Sequence, residues 1–236
     1  MPRCFYVTGT DTEVGKTFTS VSLLQAANRH GMKTLALKPV ASGAAPVGGD
    51  LRNEDALALR DAMSVSLDYQ AVNPYCFAPA IAPHIAARQA GSPLSAEHIV
   101  DHCRRMLASE YDFALIEGAG GWRVPLNEDD LFSDIPTQLK IPVILVVGMR
   151  LGCINHALLT AQAMQNDGVE CVGWVANSVS EKMPFYDDNI LYLKNNMPFR
   201  MLGEVPFSDG FAQKEELKNI YNKIYENLLC EESGLD

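Results

Sequence analysis

Nine consecutive residues concentrate the chemistry of this chain: Gly9-Thr10-Asp11-Thr12-Glu13-Val14-Gly15-Lys16-Thr17. The apolar run Cys4 to Val7 before them reads as a short buried strand, and Phe18 to His30 after them reads as a helix. Strand, glycine-containing loop and helix in that order make a phosphate-binding P-loop, whose backbone N–H groups converge on an anion. Lys16 can reach terminal phosphates as a point charge, and the Thr17 hydroxyl can ligate magnesium. Five residues rather than four separate Gly9 from Gly15, so Thr10 takes the first-glycine place. A plain turn with a lysine-led helix start would leave Asp11 and Glu13 unexplained. Two carboxylates beside a phosphate site repel the ligand, which suggests a second task, such as holding water around a metal or a cationic co-substrate.

A further carboxylate ends the run Asp112-Phe113-Ala114-Leu115-Ile116-Glu117, and Gly118-Ala119-Gly120-Gly121 follow it. In a P-loop enzyme the acid at such a strand tip coordinates magnesium, and the glycines admit a ligand close to the backbone. Lys38-Pro39-Val40-Ala41-Ser42-Gly43 follows a second strand-like run. A lysine there can neutralise charge that develops in phosphoryl transfer, and Ser42 can donate to a substrate. Asn53 opens a helix as its cap, and Asp55 in the first turn either answers the helix dipole or supplies a third magnesium ligand. Gly152-Cys153-Ile154-Asn155-His156 starts another helix, where free N–H groups suit a carboxylate, although on the pattern alone a simple helix start is the better reading. His156 reads as a satisfied structural histidine, and Glu128, Asp129 and Asp130 as a solvated acidic loop rather than a metal site.

The elements that position these residues alternate. Strand-like runs stand at Cys4–Val7, Thr34–Leu37, Phe113–Ile116, Val143–Val147, Val172–Ala176 and Met201–Val205. Helical patterns stand at Thr17–His30, Asn53–Met63, Pro83–Gln89, Ala96–Ser109, Ile154–Asn166, Tyr186–Asn195 and Gln213–Leu229. Near-continuous apolar strands between helices predict a mainly parallel sheet with helices on both faces, an α/β fold of the P-loop NTPase kind. Ligands in such sheets lie beyond the carboxyl ends of the strands, and each motif above falls at one. In the last helix Leu217, Ile220, Tyr221, Ile224, Tyr225 and Leu228 form one face that packs on the sheet. Glu215, Glu216, Glu226, Glu231 and Glu232 argue against a membrane-targeting role for that helix.

The 236 residues suit a single domain over 1–236, without an evident linker or repeat. A net charge of -10 argues against nucleic acid or an anionic membrane as partner. The six cysteines form no Cys-x-x-Cys pair, and neither a signal peptide before Met1-Pro2-Arg3 nor a span-length apolar stretch is evident. Free thiols in a reducing cytoplasm are the expectation.

Taken together, T-G-T-D-T-E-V-G-K-T, K-P-V-A-S-G, E-G-A-G-G-W and G-C-I-N-H-A resemble the ATP-dependent dethiobiotin synthetases, in order and across nearly the whole chain. The odd spacing of the loop is a feature of that family. The resemblance implies a homodimer, with its substrate site near the interface, that uses magnesium ATP to close carbon dioxide onto 7,8-diaminopelargonic acid in biotin biosynthesis. A carbamate and a carbamic-phosphoric anhydride would be the intermediates. The resemblance further implies that Lys16 binds the terminal phosphates, that Lys38 stabilises the carbamate and the transferring phosphoryl group, and that Thr17, Asp55 and Glu117 hold magnesium. Thr12, Glu13 and Ser42 would position the diamine end, with Thr12 in the catalytic set. Gly152, Cys153, Ile154 and Asn155 would take the substrate carboxylate from the neighbouring subunit, and Gly121 would also line the substrate. Asn177 would read adenine beside Ser178, with Val205, Pro206 and Phe207 around the base. Glu13, Val14, Gly15, Phe18, Gly118, Ala119 and Gly120 would complete the nucleotide contacts.

Three positions depart from the family pattern. Ser178 stands where aspartate is common, and Phe207 where tryptophan is common. The substrate-side tyrosine has no clear match: Tyr186 is near, and alignment places Asn189 there. Rival readings are a nucleotide-switch ATPase of the chromosome- or septum-positioning kind, an amidotransferase-linked ligase and a small-molecule kinase. The first carries a signature lysine where this chain has Asp11, the second needs a glutaminase domain, and the third an arginine-rich lid.

Overall fold

The computed structural model describes residues 3–180, 183–207 and 214–230. Met1, Pro2, Gln213, Glu231 and Glu232, all named above, lie outside them. The chain runs β1 (Arg3–Gly9), α1 (Lys16–Arg29), β2 (Thr34–Leu37), β3 (Val40–Ser42), β4 (Ala45–Val47), β5 (Asp50–Arg52), α2 (Glu54–Ala62) and α3 (Tyr69–Val72). It continues through β6 (Tyr75–Phe77), α4 (Pro83–Gln89), α5 (Ala96–Leu107), β7 (Phe113–Glu117), α6 (Asp134–Leu139) and β8 (Val143–Met149). The last elements are α7 (Cys153–Asn166), β9 (Cys171–Ser178), α8 (Tyr186–Asn196), β10 (Met201–Val205) and α9 (Lys214–Leu229).

The six strands read from apolar runs form one parallel sheet in the order β10-β9-β8-β1-β7-β2. Alternate side chains feed two cores. Tyr6, Ile116, Leu145 and Trp174 point to the face covered by α4 to α8. Phe5, Leu115, Val146 and Val175 point to the face covered by α1, α2 and α9, where Tyr221, Ile224, Tyr225 and Leu228 supply the apolar side of α9. This period-two division is why uninterrupted apolar strands were legible as a two-sided sheet. Among the described residues no helix is long and apolar enough to cross a membrane.

Small elements add to that frame. β3 pairs in parallel with β6, and β4 with β5 in an antiparallel hairpin. These runs of three residues, and the short helices α3 and α6, are too brief to show periodicity.

Register brings the site together. Val7 lies opposite Glu117 and Leu37 opposite Ile116, so Lys38, one residue past β2, arrives beside the Glu117 carboxylate. Gly9 lies opposite Val146, so the loop after β1 runs beside the end of β8. Gly148 pairs with Asn177, which carries β9 to the same edge.

Candidate active site

A cavity of about 810 Å³ opens over these strand tips. Thr12, Glu13, Gly15, Lys16, Thr17 and Phe18 line one part of it. Lys38, Ser42, Asp55, Ala119 and Gly120 line another. Ala80, Ile81, Ala82, Pro83 and Val124 also form its wall, and the sequence reading missed them. The apolar, proline-bearing stretch before α4 was the available signal, and it registered only as a helix start.

The phosphate loop is tightly built. Gly15 adopts φ 87°, and a Cβ there would stand 2.1 Å from the Asn177 Nδ2, so both conformation and space demand glycine. Asn177 donates that amide to the Val14 carbonyl at 2.9 Å and is 6% exposed. Val14 is buried beneath the loop. Lys16 is buried too and donates to the Asp11 carbonyl at 2.9 Å. Burial, and then the nearby Lys38 charge, push its ammonium down to about 8.

Lys38 is 4% exposed, not an ordinary surface lysine. Its ammonium donates to the Glu117 Oε1 at 2.6 Å and lies 3.1 Å from the Asp55 Oδ2. Burial works to lower its pKa, but Glu117 and Asp55 outweigh that and leave it raised. Asp55 is held low: burial opposes this, and the Lys38 ammonium overcomes it. Glu117 is fully buried. Its Oε1 also accepts the Thr17 hydroxyl at 2.7 Å, while Oε2 is buried without a partner.

A polar chain aims this cluster. The Asn53 side chain caps α2 by accepting the Ala56 N–H at 3.2 Å, which fixes the turn that bears Asp55. Asn53 N–H donates to the Tyr69 hydroxyl at 2.7 Å, which donates to Asn73 Oδ1 at 2.8 Å. Asn73 Nδ2 donates to the Lys38 carbonyl at 2.6 Å. Tyr69 and Asn73 thus support Lys38 and Asp55 from below, a role that distance along the chain concealed. The Ser42 Oγ is buried without a partner, as a donor reserved for a ligand would be.

On the β8 side, the Asp11 Oδ1 accepts the Thr12 N–H at 2.8 Å and its Oδ2 accepts the Arg150 guanidinium. Arg150 was not singled out from the sequence. Glu13, a non-glycine residue, adopts φ 58°. Gly121 approaches the loop from the other side: a Cβ there would lie 3.5 Å from the Gly9 and Thr10 carbonyls. A Cβ on Gly118 would meet the Tyr6 hydroxyl at 2.5 Å, while its carbonyl accepts the Lys38 ammonium at 3.5 Å.

The remaining candidates lie off this cavity. At α7, Gly152 caps with φ 93° and the Cys153 N–H donates to the Arg150 carbonyl at 2.9 Å. The Ile154 N–H turns to the Cys153 sulfur, and Asn155 lies in the first turn, whose amides a helix cannot satisfy itself. Cys153 is buried, and burial raises its thiol. Val205 is fully buried, Pro206 half-buried and Phe207 exposed. Ser178 pairs with the Tyr186 hydroxyl, and the Asn189 amide donates to the Phe185 carbonyl at 2.7 Å.

Two expectations need correction. His156 is exposed instead of a satisfied structural histidine, because the first turn of α7 points its side chain outward. Asp130 is not a solvated loop residue: half-buried, it accepts the Ala96 N–H and the Asn127 amide at 2.9 Å, closing the start of α5. Glu128 and Asp129 are exposed as expected.

Residues 3–215 match a family described as an AAA domain. An ATP-dependent dethiobiotin synthetase BioD of Pseudomonas aeruginosa (strain UCBPP-PA14) is 53% identical over 202 residues, 86% of this chain and 89% of that one. A protein of the same name from Photobacterium profundum is 48% identical over 229 residues, 97% of this chain and 100% of that one. Among solved structures, the MinD cell division protein of Aquifex aeolicus superposes with a TM-score of 0.63 at 13% identity and covers 99% of both chains. The septum site-determining protein MinD of Pyrococcus horikoshii, complexed with Mg-ADP, gives 0.59 at 16% identity over 97% of this chain and 96% of that one. At such identities the structural likeness establishes the fold alone.

Proposed function

Because the chain belongs to the ATP-dependent dethiobiotin synthetase family, we propose that its cavity is where ATP drives ring closure of 7,8-diaminopelargonic acid with carbon dioxide. The enzyme is an ATP-dependent ligase of biotin biosynthesis. In the chemistry we propose, one amine of the substrate attacks carbon dioxide and loses a proton, which leaves a carbamate. A carbamate oxygen attacks the γ-phosphorus of ATP, the bond to ADP breaks, and a carbamic-phosphoric anhydride forms. The second amine then attacks the carbonyl carbon, phosphate leaves with the bonding pair, and the ureido ring closes as a proton departs.

The residues fit these demands. Lys16 and Lys38 bring two buried cations to one cavity, where carbamate, phosphoryl and leaving phosphate are all anionic. Glu13 and Thr12 line the same cavity, and Glu13 is a natural counter-charge for a diamine. Ser42 offers an unpartnered hydroxyl. The single observation that carries the reading is this coexistence of paired cations, a free carboxylate and an orphan hydroxyl around one cavity.

Magnesium fits the residues present. Thr17, Asp55 and Glu117 offer hard oxygen donors, and the buried Glu117 Oε2 lacks a partner. Among the described residues no three His, Cys, Asp or Glu side chains cluster as a metal site, so nucleotide phosphates would complete the shell. Bound there, the ion would neutralise phosphate charge and draw the nucleotide towards in-line transfer.

Asn177 and Ser178, with Val205, Pro206 and Phe207, we assign to the base end of the nucleotide. The first-turn amides of α7 we assign to the substrate carboxylate, offered to a second copy of the chain. Leu151 is 97% exposed beside that turn, and Leu159 and Phe185 are exposed as well, surface that a homodimer would cover. The six cysteines are free thiols, in keeping with cytoplasmic work.

The test is phosphate release from magnesium ATP and bicarbonate, with and without 7,8-diaminopelargonic acid, with the organic product weighed by mass spectrometry. Diamine-dependent release and a product that has gained one carbonyl are expected. Hydrolysis indifferent to the diamine would refute the assignment.

A further inference from the structure

We propose that Arg150, acting through Asp11, is a positioning residue for diamine selection: the pair holds Glu13 where its carboxylate meets the substrate amines. This rests on the reading of Glu13 as the diamine's counter-charge.

Glu13 sits in the left-handed region at φ 58°, a conformation unfavourable to a residue with a Cβ, which persists only where neighbours impose it. Both neighbours are pinned. On one side Val14 is buried, and its carbonyl takes the Asn177 amide. On the other, the Asp11 carboxylate is engaged at both oxygens, by the Thr12 N–H and by Arg150. Neither Asp11 nor Arg150 lines the cavity. They act on its shape from outside.

Electrostatics gives the pair a second effect. Asp11 is one of the two loop carboxylates that would repel a phosphate. Arg150 draws that charge to the β8 side, and the Asp11 carbonyl is what faces the Lys16 ammonium. Glu13 is left as the acid of this loop that lines the cavity. The Arg150 main chain is itself anchored, because its carbonyl accepts the Cys153 N–H at the start of α7. With side chains 41% and 43% exposed, the pair adds little to global stability, so its effect should be read in substrate use.

The experiment compares Arg150→Met, Arg150→Lys, Asp11→Asn and Glu13→Gln, singly, and Arg150→Met combined with Glu13→Gln. It measures KM for the diamine, kcat, and calorimetric Kd for a magnesium complex of a non-hydrolysable ATP analogue. Arg150→Met and Asp11→Asn should each raise the diamine KM about tenfold, with kcat and nucleotide Kd moving less than about twofold. Arg150→Lys should restore KM to within about threefold of the parent, since an ammonium can still pair with Asp11. In the Glu13→Gln background, Arg150→Met should add less than about twofold. An undiminished tenfold loss in that background would overturn the proposal, because Arg150 would then act without Glu13. Loss confined to nucleotide affinity would also overturn it. An unchanged diamine KM in Glu13→Gln alone would instead remove the underlying reading of Glu13, and the proposal with it.

Discussion

Two ion pairs flank one cavity and are built in opposite ways. On the β2–β7 side, the Lys38–Glu117 pair is almost fully buried, with side chains 5% and 0% exposed, and its carboxylate keeps one oxygen unpartnered. On the β1–β8 side, Asp11 and Arg150 are open to water and leave the cavity lining to others. A buried pair gains much from Coulomb attraction but must offset desolvation of both ions, and removal of one member strands the other. An exposed pair is screened, and its contribution is geometric. The first side therefore couples stability to chemistry, and the second separates them.

The largest effect should come from the buried side. Lys38→Ala should lower kcat by at least about a hundredfold, while a magnesium ATP analogue still binds. Rapid-quench turnover and calorimetry read the two halves, and full activity would remove Lys38 from the mechanism. The same substitution should cost about 3–5 kcal/mol in urea unfolding without divalent metal, because Glu117 and Asp55 lose their counter-charge. Magnesium or manganese should return part of that loss, since a cation can take the place the ammonium leaves. A stability loss indifferent to metal would mean that the carboxylates do not meet the ion.

With Glu13 as the proposed counter-charge of the diamine, Glu13→Gln should raise the diamine KM roughly tenfold or more and leave nucleotide binding near the parent value. Equal losses in both would assign Glu13 to the nucleotide or to the fold. The smallest effect belongs to the exposed pair. Asp11→Asn should change unfolding free energy by less than about 1 kcal/mol. A loss comparable to that of Lys38→Ala would erase the contrast between the two sides.

The architecture was largely readable because its strands are buried on both faces. Thr34–Leu37 and Met201–Val205 have the bounds their apolar runs suggest, and Phe113 to Ile116 falls one residue short of β7. Lys16, Thr17, Lys38, Asp55 and Glu117 could be named because each stands at a strand tip or a helix start. Tyr69 and Asn73 could not, since an isolated buried polar residue has no pattern until its partners are known. Arg150 escaped for a related reason: a lone arginine after a strand is ordinary until the register sets it beside Asp11. Asp130 misled because three acids in a row read as solvent-facing, whereas one of them closes a helix start.

The central place of β1 has a consequence for synthesis on the ribosome. Its neighbours in the sheet are β7 and β8, so the phosphate loop leaves the ribosome among the first residues and waits for most of the chain. Lys38 meets Glu117 across 79 positions, and Asp11 meets Arg150 across 139. Contacts so distant along the chain close late, after the entropy of large loops has been lost. A nascent chain shorter than about 150 residues therefore holds the whole P-loop sequence yet lacks the walls that shape it. The loop is complete only once β8 has been delivered and β9 has brought Asn177 to the Val14 carbonyl.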